Sequence, residues 1–171
     1  WADILMAQAS GKAPSRRLIR SKGIHIITRA LTNKHAVAVV GPQTHFFILP
    51  WRGYSILGTT DTVYHGDPDH VHVTEKDIVD FLNVVNKGYP AAKLGRSDVL
   101  FFYAGLRPIV EKIPGEALEE DADSYNASRA AEVYDHETED GLKGVITAIG
   151  GKWTTSRHLA EKVVDLTQTK L

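Results

Sequence analysis

The sequence predicts an α+β fold: an antiparallel β-sheet flanked by helices, closing on one strand, turn and helix of the α/β kind. Three observations carry this expectation. Val37 to Val40, His45 to Pro50 and Tyr54 to Thr60 are short strand-like runs separated by Gly41-Pro42 and Arg52-Gly53, the rhythm of an antiparallel meander. Ile78, Phe81, Leu82 and Val85 recur at helical spacing, a stripe that needs a sheet to cover. Val145 to Ile149 runs straight into Gly150-Gly151 and then a helical pattern carrying Leu159, Val163, Val164 and Leu166.

The remaining elements follow in chain order. Ala2 to Ala9 reads as a short helix with Ile4 and Leu5 on one side, broken by Ser10-Gly11 before a loop at Pro14. Arg17 to Ala30 concentrates Ile19, Ile24, Ile26, Ile27 and Thr28 around a single Gly23, which predicts one or two strands with a bend. Asp61 to His72 reads as a polar loop. Thr74 then supplies a cap, and Glu75 and Asp77 an acidic first turn, for a helix over residues 75–87 ended by Gly88 and Pro90. Val99 to Tyr103 is a strand that Arg107-Pro108 terminates, Lys112 to Ser124 an acidic surface loop, and Glu132 to Asp135 a further strand.

Composition narrows the function. With 171 residues, 43% hydrophobic and 24% charged, the chain can bury one sizeable core. Its formal net charge of -1 exerts no bulk pull on nucleic acid, so any anion site must be local. The absence of cysteine excludes disulfides, thiolate metal sites and thiol chemistry. No apolar run approaches the roughly 18 residues of a membrane span. Trp1 carries no initiator Met, which suggests an excised piece of a longer protein.

Several constellations could carry chemistry, and each has a plainer reading. Gly150-Gly151-Lys152-Trp153-Thr154-Thr155, between a strand and a helix, combines close backbone approach, unpaired N–H donors and a full positive charge, which suits a developing anion. A capped helix after a tight turn is the plain alternative. Arg107, at the end of an apolar strand and fixed by Pro108, suits bidentate recognition of phosphate or carboxylate, and Arg129 is a second candidate; an arginine snorkelling at a strand end or pairing with a nearby acid is the plainer reading, for Arg129 above all. Thr59 and Asp61 in Gly58-Thr59-Thr60-Asp61 could line a polyol site or simply make a turn. His25, between Ile24 and Ile26, could accept a hydroxyl proton or be a satisfied core histidine. His65, His70 and His72 with Asp67 and Asp69 lack a third ligand at a recognised spacing, so a metal site is not expected.

Taken together and in order, Lys22-Gly23-Ile24-His25-Ile26-Ile27, Ile48-Leu49-Pro50-Trp51, Gly58-Thr59-Thr60-Asp61, Gly66-Asp67-Pro68, Tyr103 to Pro108 and Gly150 to Thr155 resemble the FAD-dependent glycerol-3-phosphate dehydrogenases over nearly the whole chain. The resemblance implies oxidation of glycerol 3-phosphate at C2 to dihydroxyacetone phosphate in glycerol metabolism, with hydride passing to FAD and electrons to a quinone. It implies a substrate-binding sheet over residues 1–143 and, over 144–171, the last strand and helix of the FAD-binding domain. Carried over by position, Arg107 lies beside substrate, Arg129 meets phosphate, His25 belongs to the pocket and Lys152 stands at the flavin ring. Gly150, Gly151, Thr154 and Thr155 line the cofactor edge, and Thr59 and Asp61 match the family motif. The family's Gly-x-Gly-x-x-Gly turn is absent from the chain, so the isolated chain is expected to be inactive and not to retain FAD. Ala130 stands where a larger polar residue is expected after Ser128-Arg129. An oxidase passing electrons to oxygen, a phosphopolyol-binding module without chemistry, and an amine or amino-acid oxidase of the same fold are the alternatives. The implied location is cytoplasmic, with peripheral attachment of the parent protein to the inner face of the cell membrane left open.

Overall fold

A computed structural model describes residues 1–13, 18–41, 44–110 and 131–171. In chain order, helix α1 spans Ala2–Ser10, and strands β1 Leu18–Arg29, β2 Val37–Gly41, β3 Thr44–Trp51, β4 Tyr54–Gly58 and β5 Thr62–Tyr64 follow. Helix α2 spans Glu75–Gly88, strand β6 Val99–Val110, strand β7 Glu132–Asp135, helix α3 His136–Asp140, strand β8 Ile146–Ile149 and helix α4 Ser156–Gln168. The chain divides into two compact units, one comprising Trp1–Ser21 with Arg107–Leu171 and the other Lys22–Leu106.

In the Lys22–Leu106 unit, β2, β3, β4 and β1 pair antiparallel in that spatial order. The whole sheet has six strands, with β5 and β6 both paired to β1. Alternation decides its two faces. Ile24, Ile26, Phe46, Ile48 and Leu57 are buried, and the α2 stripe of Ile78, Phe81, Leu82 and Val85 packs into the same core. Phe46 meets Phe81 edge to face, with ring centroids 6.0 Å apart. On the opposite face His25 and Ile27 are half-buried, whereas Phe47 and Leu49 are exposed.

The start of α2 is fixed twice over. Thr74 and Asp77 form a capping box, with the Asp77 amide donating to Thr74 Oγ1 at 3.2 Å and the Thr74 amide to Asp77 Oδ2 at 2.7 Å. Lys22 of β1 donates to the same Asp77 Oδ2 at 2.8 Å. Burial pushes the Asp77 carboxyl up, but the Lys22 bond, the two Thr74 bonds and the Lys22 charge outweigh it and hold the group below the usual aspartate value.

In the other unit, β7 and β8 form an antiparallel pair running from Glu132↔Ile149 to Asp135↔Ile146. Tyr134 and Ile149 are buried with Leu18 of β1, and Ala2 of α1 packs against them. Helix α4 packs on the pair and is tied at its far end by Lys170, whose ammonium lies 2.7 Å from Asp135 Oδ2 and 2.9 Å from Glu137 Oε2.

The antiparallel sheet with flanking helices and the closing strand, turn and helix are found as expected, and three local expectations are corrected. Strand β6 does not stop before Arg107-Pro108 but continues to Val110, because a proline is tolerated where its missing N–H is not needed by a partner strand. The polar stretch after Asp61 holds a short strand, β5, whose Thr62 hydroxyl donates to the Lys22 carbonyl at 3.2 Å. Helix α3 was not anticipated. The acidic segment Lys112 to Ser124 and Arg129 lie outside the described residues. Among the described residues, no helix is long and apolar enough to cross a membrane.

Candidate functional site

His25 sits on the open face of the Lys22–Leu106 unit, in the cross-strand row Phe47, Gly58, His25. Its imidazole lies over Gly58 where a side chain would otherwise stand: a Cβ on residue 58 would come within 2.6 Å of His25 Nε2 and 2.8 Å of Cγ. Glycine is required there by close approach, not by an unusual φ. The Tyr103 ring of β6 stacks on the same imidazole, with centroids 4.9 Å apart and planes 10° from parallel. The sequence suggested a histidine in a pocket, but not the ring and the glycine that frame it.

The segment after Gly58 is stitched back to β1. Thr60 Oγ1 accepts from the Ile24 amide at 3.0 Å, and Thr59 Oγ1 donates to the Thr60 carbonyl at 3.2 Å. Thr60, which the motif reading passed over, therefore does the anchoring between the two candidates Thr59 and Asp61, and all three are half-buried. The structure thus brings Thr59 and Asp61 into the segment that begins against His25.

In the other unit Arg107 is half-buried on β6 and donates to Ser21 Oγ of β1 at 3.3 Å; Ser21 is fully buried. Strand β8 ends in Gly150 and Gly151, at φ +73° and +84°, a left-handed pair that only glycine adopts readily. A Cβ on Gly151 would also press on Ala131 Cβ at 3.0 Å. Lys152 follows, exposed, and its amide and carbonyl are both engaged by Thr155 Oγ1, at 3.2 and 2.9 Å. The Thr155 hydroxyl thus shapes the Lys152 turn, while Thr154 is exposed on the 3-10 turn Trp153–Thr155 that opens α4. Two left-handed glycines, an exposed ammonium and a helix start form a donor set that fits the anionic edge of a reduced isoalloxazine.

A histidine that the sequence reading missed lies in the same unit. His136, only 3% exposed, places Nδ1 2.5 Å from Asp140 Oδ2 and Nε2 2.7 Å from Thr147 Oγ1. Its signal was legible in Asp135-His136-Glu137-Thr138-Glu139-Asp140-Gly141. Asp135 caps the Glu137 amide at 3.1 Å, and Gly141 ends the helix at φ +75°. The polar histidines behave differently: His72 Nδ1 lies 2.8 Å from the His70 carbonyl, and Asp67 Oδ1 accepts from the Asp69 amide at 2.9 Å, as turn residues do. Among the described residues, no group of three or more His, Cys, Asp or Glu side chains is placed to hold a metal.

Comparison with known proteins places this arrangement. A glycerol-3-phosphate dehydrogenase of Synechocystis is 33% identical over 160 residues, covering 91% of this chain and 28% of that protein. The aerobic glycerol-3-phosphate dehydrogenase of Escherichia coli is 34% identical over 147 residues, covering 84% and 28%. The chain thus spans under a third of the length of these relatives. The solved structure of glycerol-3-phosphate dehydrogenase from Bacillus halodurans complexed with FAD superposes with a TM-score of 0.66 at 28% identity, covering 89% of this chain and 27% of that one. These matches bear out the resemblance read from the motifs. The family model described as FAD dependent oxidoreductase matches residues 1–157, and the chain belongs to that family of FAD-dependent enzymes.

Proposed function

We propose that this chain supplies the substrate-binding sheet and the flavin-contacting turn of an FAD-dependent glycerol-3-phosphate dehydrogenase, with residues 1–143 serving substrate and 144–171 serving the cofactor. The observation that carries this reading is the Gly150-Gly151-Lys152 turn at the end of β8. It presents a cation and a helix start together, in a chain whose relatives bear that enzyme's name.

The residues divide the work. FAD, when bound, supplies the two-electron acceptor for the hydrogen on C2 of glycerol 3-phosphate. His25 takes the C2 hydroxyl proton as the carbon becomes a carbonyl, giving dihydroxyacetone phosphate. Arg107 holds the phosphate with charge-assisted hydrogen bonds, joined by Arg129, and Thr59 and Asp61 contact the polyol hydroxyls. Gly150, Gly151 and Thr154 border the flavin edge, Thr155 keeps the turn shaped, and Lys152 favours negative charge there. Electrons leave to a quinone, and the parent protein works on the cytoplasmic side, peripheral to the membrane that holds this acceptor.

Anaerobic mixing of the full-length, flavin-loaded parent protein with glycerol 3-phosphate should bleach the flavin absorbance and yield dihydroxyacetone phosphate. Flavin that stays oxidised would sink the reading. Reoxidation by a quinone analogue, compared with oxygen and peroxide release, separates the dehydrogenase from the oxidase.

A further inference from the structure

We propose that Tyr103 is a positioning residue for His25, its ring holding the imidazole in one plane over Gly58. The inference deepens the reading of His25 as the proton acceptor and rests on it only for the catalytic consequence. His25 lies on β1, and both Gly58 on β4 and Tyr103 on β6 belong to strands paired with it. A histidine side chain on an open sheet face would ordinarily sample several rotamers. Here two neighbours narrow the choice. The missing Cβ at residue 58 opens the space the ring fills, and the near-parallel Tyr103 ring at 4.9 Å stacks on it. An offset aromatic pair has an orientational preference beyond the area it buries, so the pair fixes the plane of the ring and the direction of its nitrogens. For a proton acceptor that direction matters, because a misaimed base loses rate even when substrate still binds.

Tyr103 sits four residues before Arg107 on the same strand. One β-strand therefore carries both the residue that aims the imidazole and the residue proposed to hold phosphate. The phenol is 42% exposed, so removing its ring leaves the buried core of Ile24, Phe46 and Leu57 untouched.

The test has two arms. In the first, histidine ring resonances of the 171-residue chain are recorded by NMR for wild type, Tyr103→Leu and Tyr103→Phe, with the His25 signals identified by their loss in His25→Gln. Protons stacked on an aromatic face are shifted upfield, so Tyr103→Leu should lose that displacement while Tyr103→Phe keeps it. Identical His25 shifts in wild type and Tyr103→Leu overturn the proposal. Should Tyr103→Leu not fold, the reciprocal experiment applies: His25→Ala should move the Tyr103 ring resonances, and unmoved resonances overturn it likewise.

In the second arm, the flavin-loaded enzyme carrying Tyr103→Leu should lose about threefold to tenfold in kcat with KM for glycerol 3-phosphate nearly unchanged, and Tyr103→Phe should restore kcat. If the ring shifts move but kcat does not, Tyr103 still positions His25, and it is the assignment of His25 as proton acceptor that fails.

Discussion

The His25 imidazole fills the volume that a side chain at position 58 would need, and the two residues face each other across the β1–β4 register. A glycine at the end of a strand usually reads as a turn residue. This one reads as half of a contact. The motif Gly58-Thr59-Thr60-Asp61 therefore has a steric component, with Thr60 bonding the Ile24 amide beside it.

Gly58→Ala should accordingly displace the ring rather than strain the backbone. We expect a destabilisation of about 1 to 3 kcal/mol, as for other overpacked sites, together with loss of the His25–Tyr103 stack. Chemical denaturation and the His25 ring shifts check this. An alanine tolerated with unchanged shifts would mean that the imidazole is not confined there.

Lys22→Met should weaken the chain at neutrality more than in acid. The folded Asp77 carboxyl lies below its ordinary value, so its contribution is complete above the unfolded aspartate pKa of about 3.9 and is lost as pH falls through the lower folded value. Without Lys22 the folded value rises toward the unfolded one, so this contribution is already missing at neutral pH and less of it remains to be lost in acid. Chemical denaturation followed by circular dichroism should show a cost near neutral pH of about 1 to 3 kcal/mol for a hydrogen bond to a charged group, shrinking as pH falls below about 3.9; a cost that does not change with pH would show that the Lys22 bond is not what lowers Asp77.

His136→Ala should cost about 2 to 4 kcal/mol, because Asp140 and Thr147 lose their shared partner inside a buried site. The two ring nitrogens each reach one partner, Asp140 on one side and Thr147 on the other, so a single side chain ties both. Thr147→Val, which removes one neutral bond, should cost about 1 kcal/mol. Equal effects of the two substitutions would argue against the three-residue arrangement.

Arg107→Ala in the flavin-loaded enzyme should raise KM for glycerol 3-phosphate by about tenfold to a hundredfold, the effect of one charge-assisted hydrogen-bond pair. Lysine at this position should restore little of it, since a fork of donors is replaced by a point charge. Steady-state kinetics with substrate and with a non-phosphorylated polyol would show whether the loss is confined to the phosphorylated one.

The 171-residue chain, purified alone, should be colourless, because it contains no Gly-x-Gly-x-x-Gly turn to hold the dinucleotide. A yellow preparation with a flavin absorption spectrum would show that the β8 turn retains the cofactor unaided.

What the sequence made legible was whatever is encoded locally. The stripe of Ile78, Phe81, Leu82 and Val85 and the Thr74 cap defined α2 within a residue of its observed end. The glycines at 150 and 151 marked the left-handed turn. Contacts between residues distant in the chain were not legible. Lys22 meets Asp77 over 55 positions and Arg107 meets Ser21 over 86, and neither pair has a spacing that periodicity can detect. Tyr103 belongs to an apolar strand run in the sequence, and its stack on His25 exists only because β1 and β6 pair. Pro108 misled in the other direction, since proline's usual force as a strand terminator depends on which side of the strand its missing donor falls.

The alternation along β1, with Ile24 and Ile26 turned into the core and His25 turned away, makes the location of the imidazole a matter of parity. Losing or gaining one residue between Ser21 and His25 would swing histidine into the apolar layer and expose isoleucine, although neither side chain is itself altered. Natural variants of this strand should therefore accept many substitutions but few odd-numbered insertions or deletions, and an engineered single-residue deletion at Gly23 should be far more damaging than any point change there.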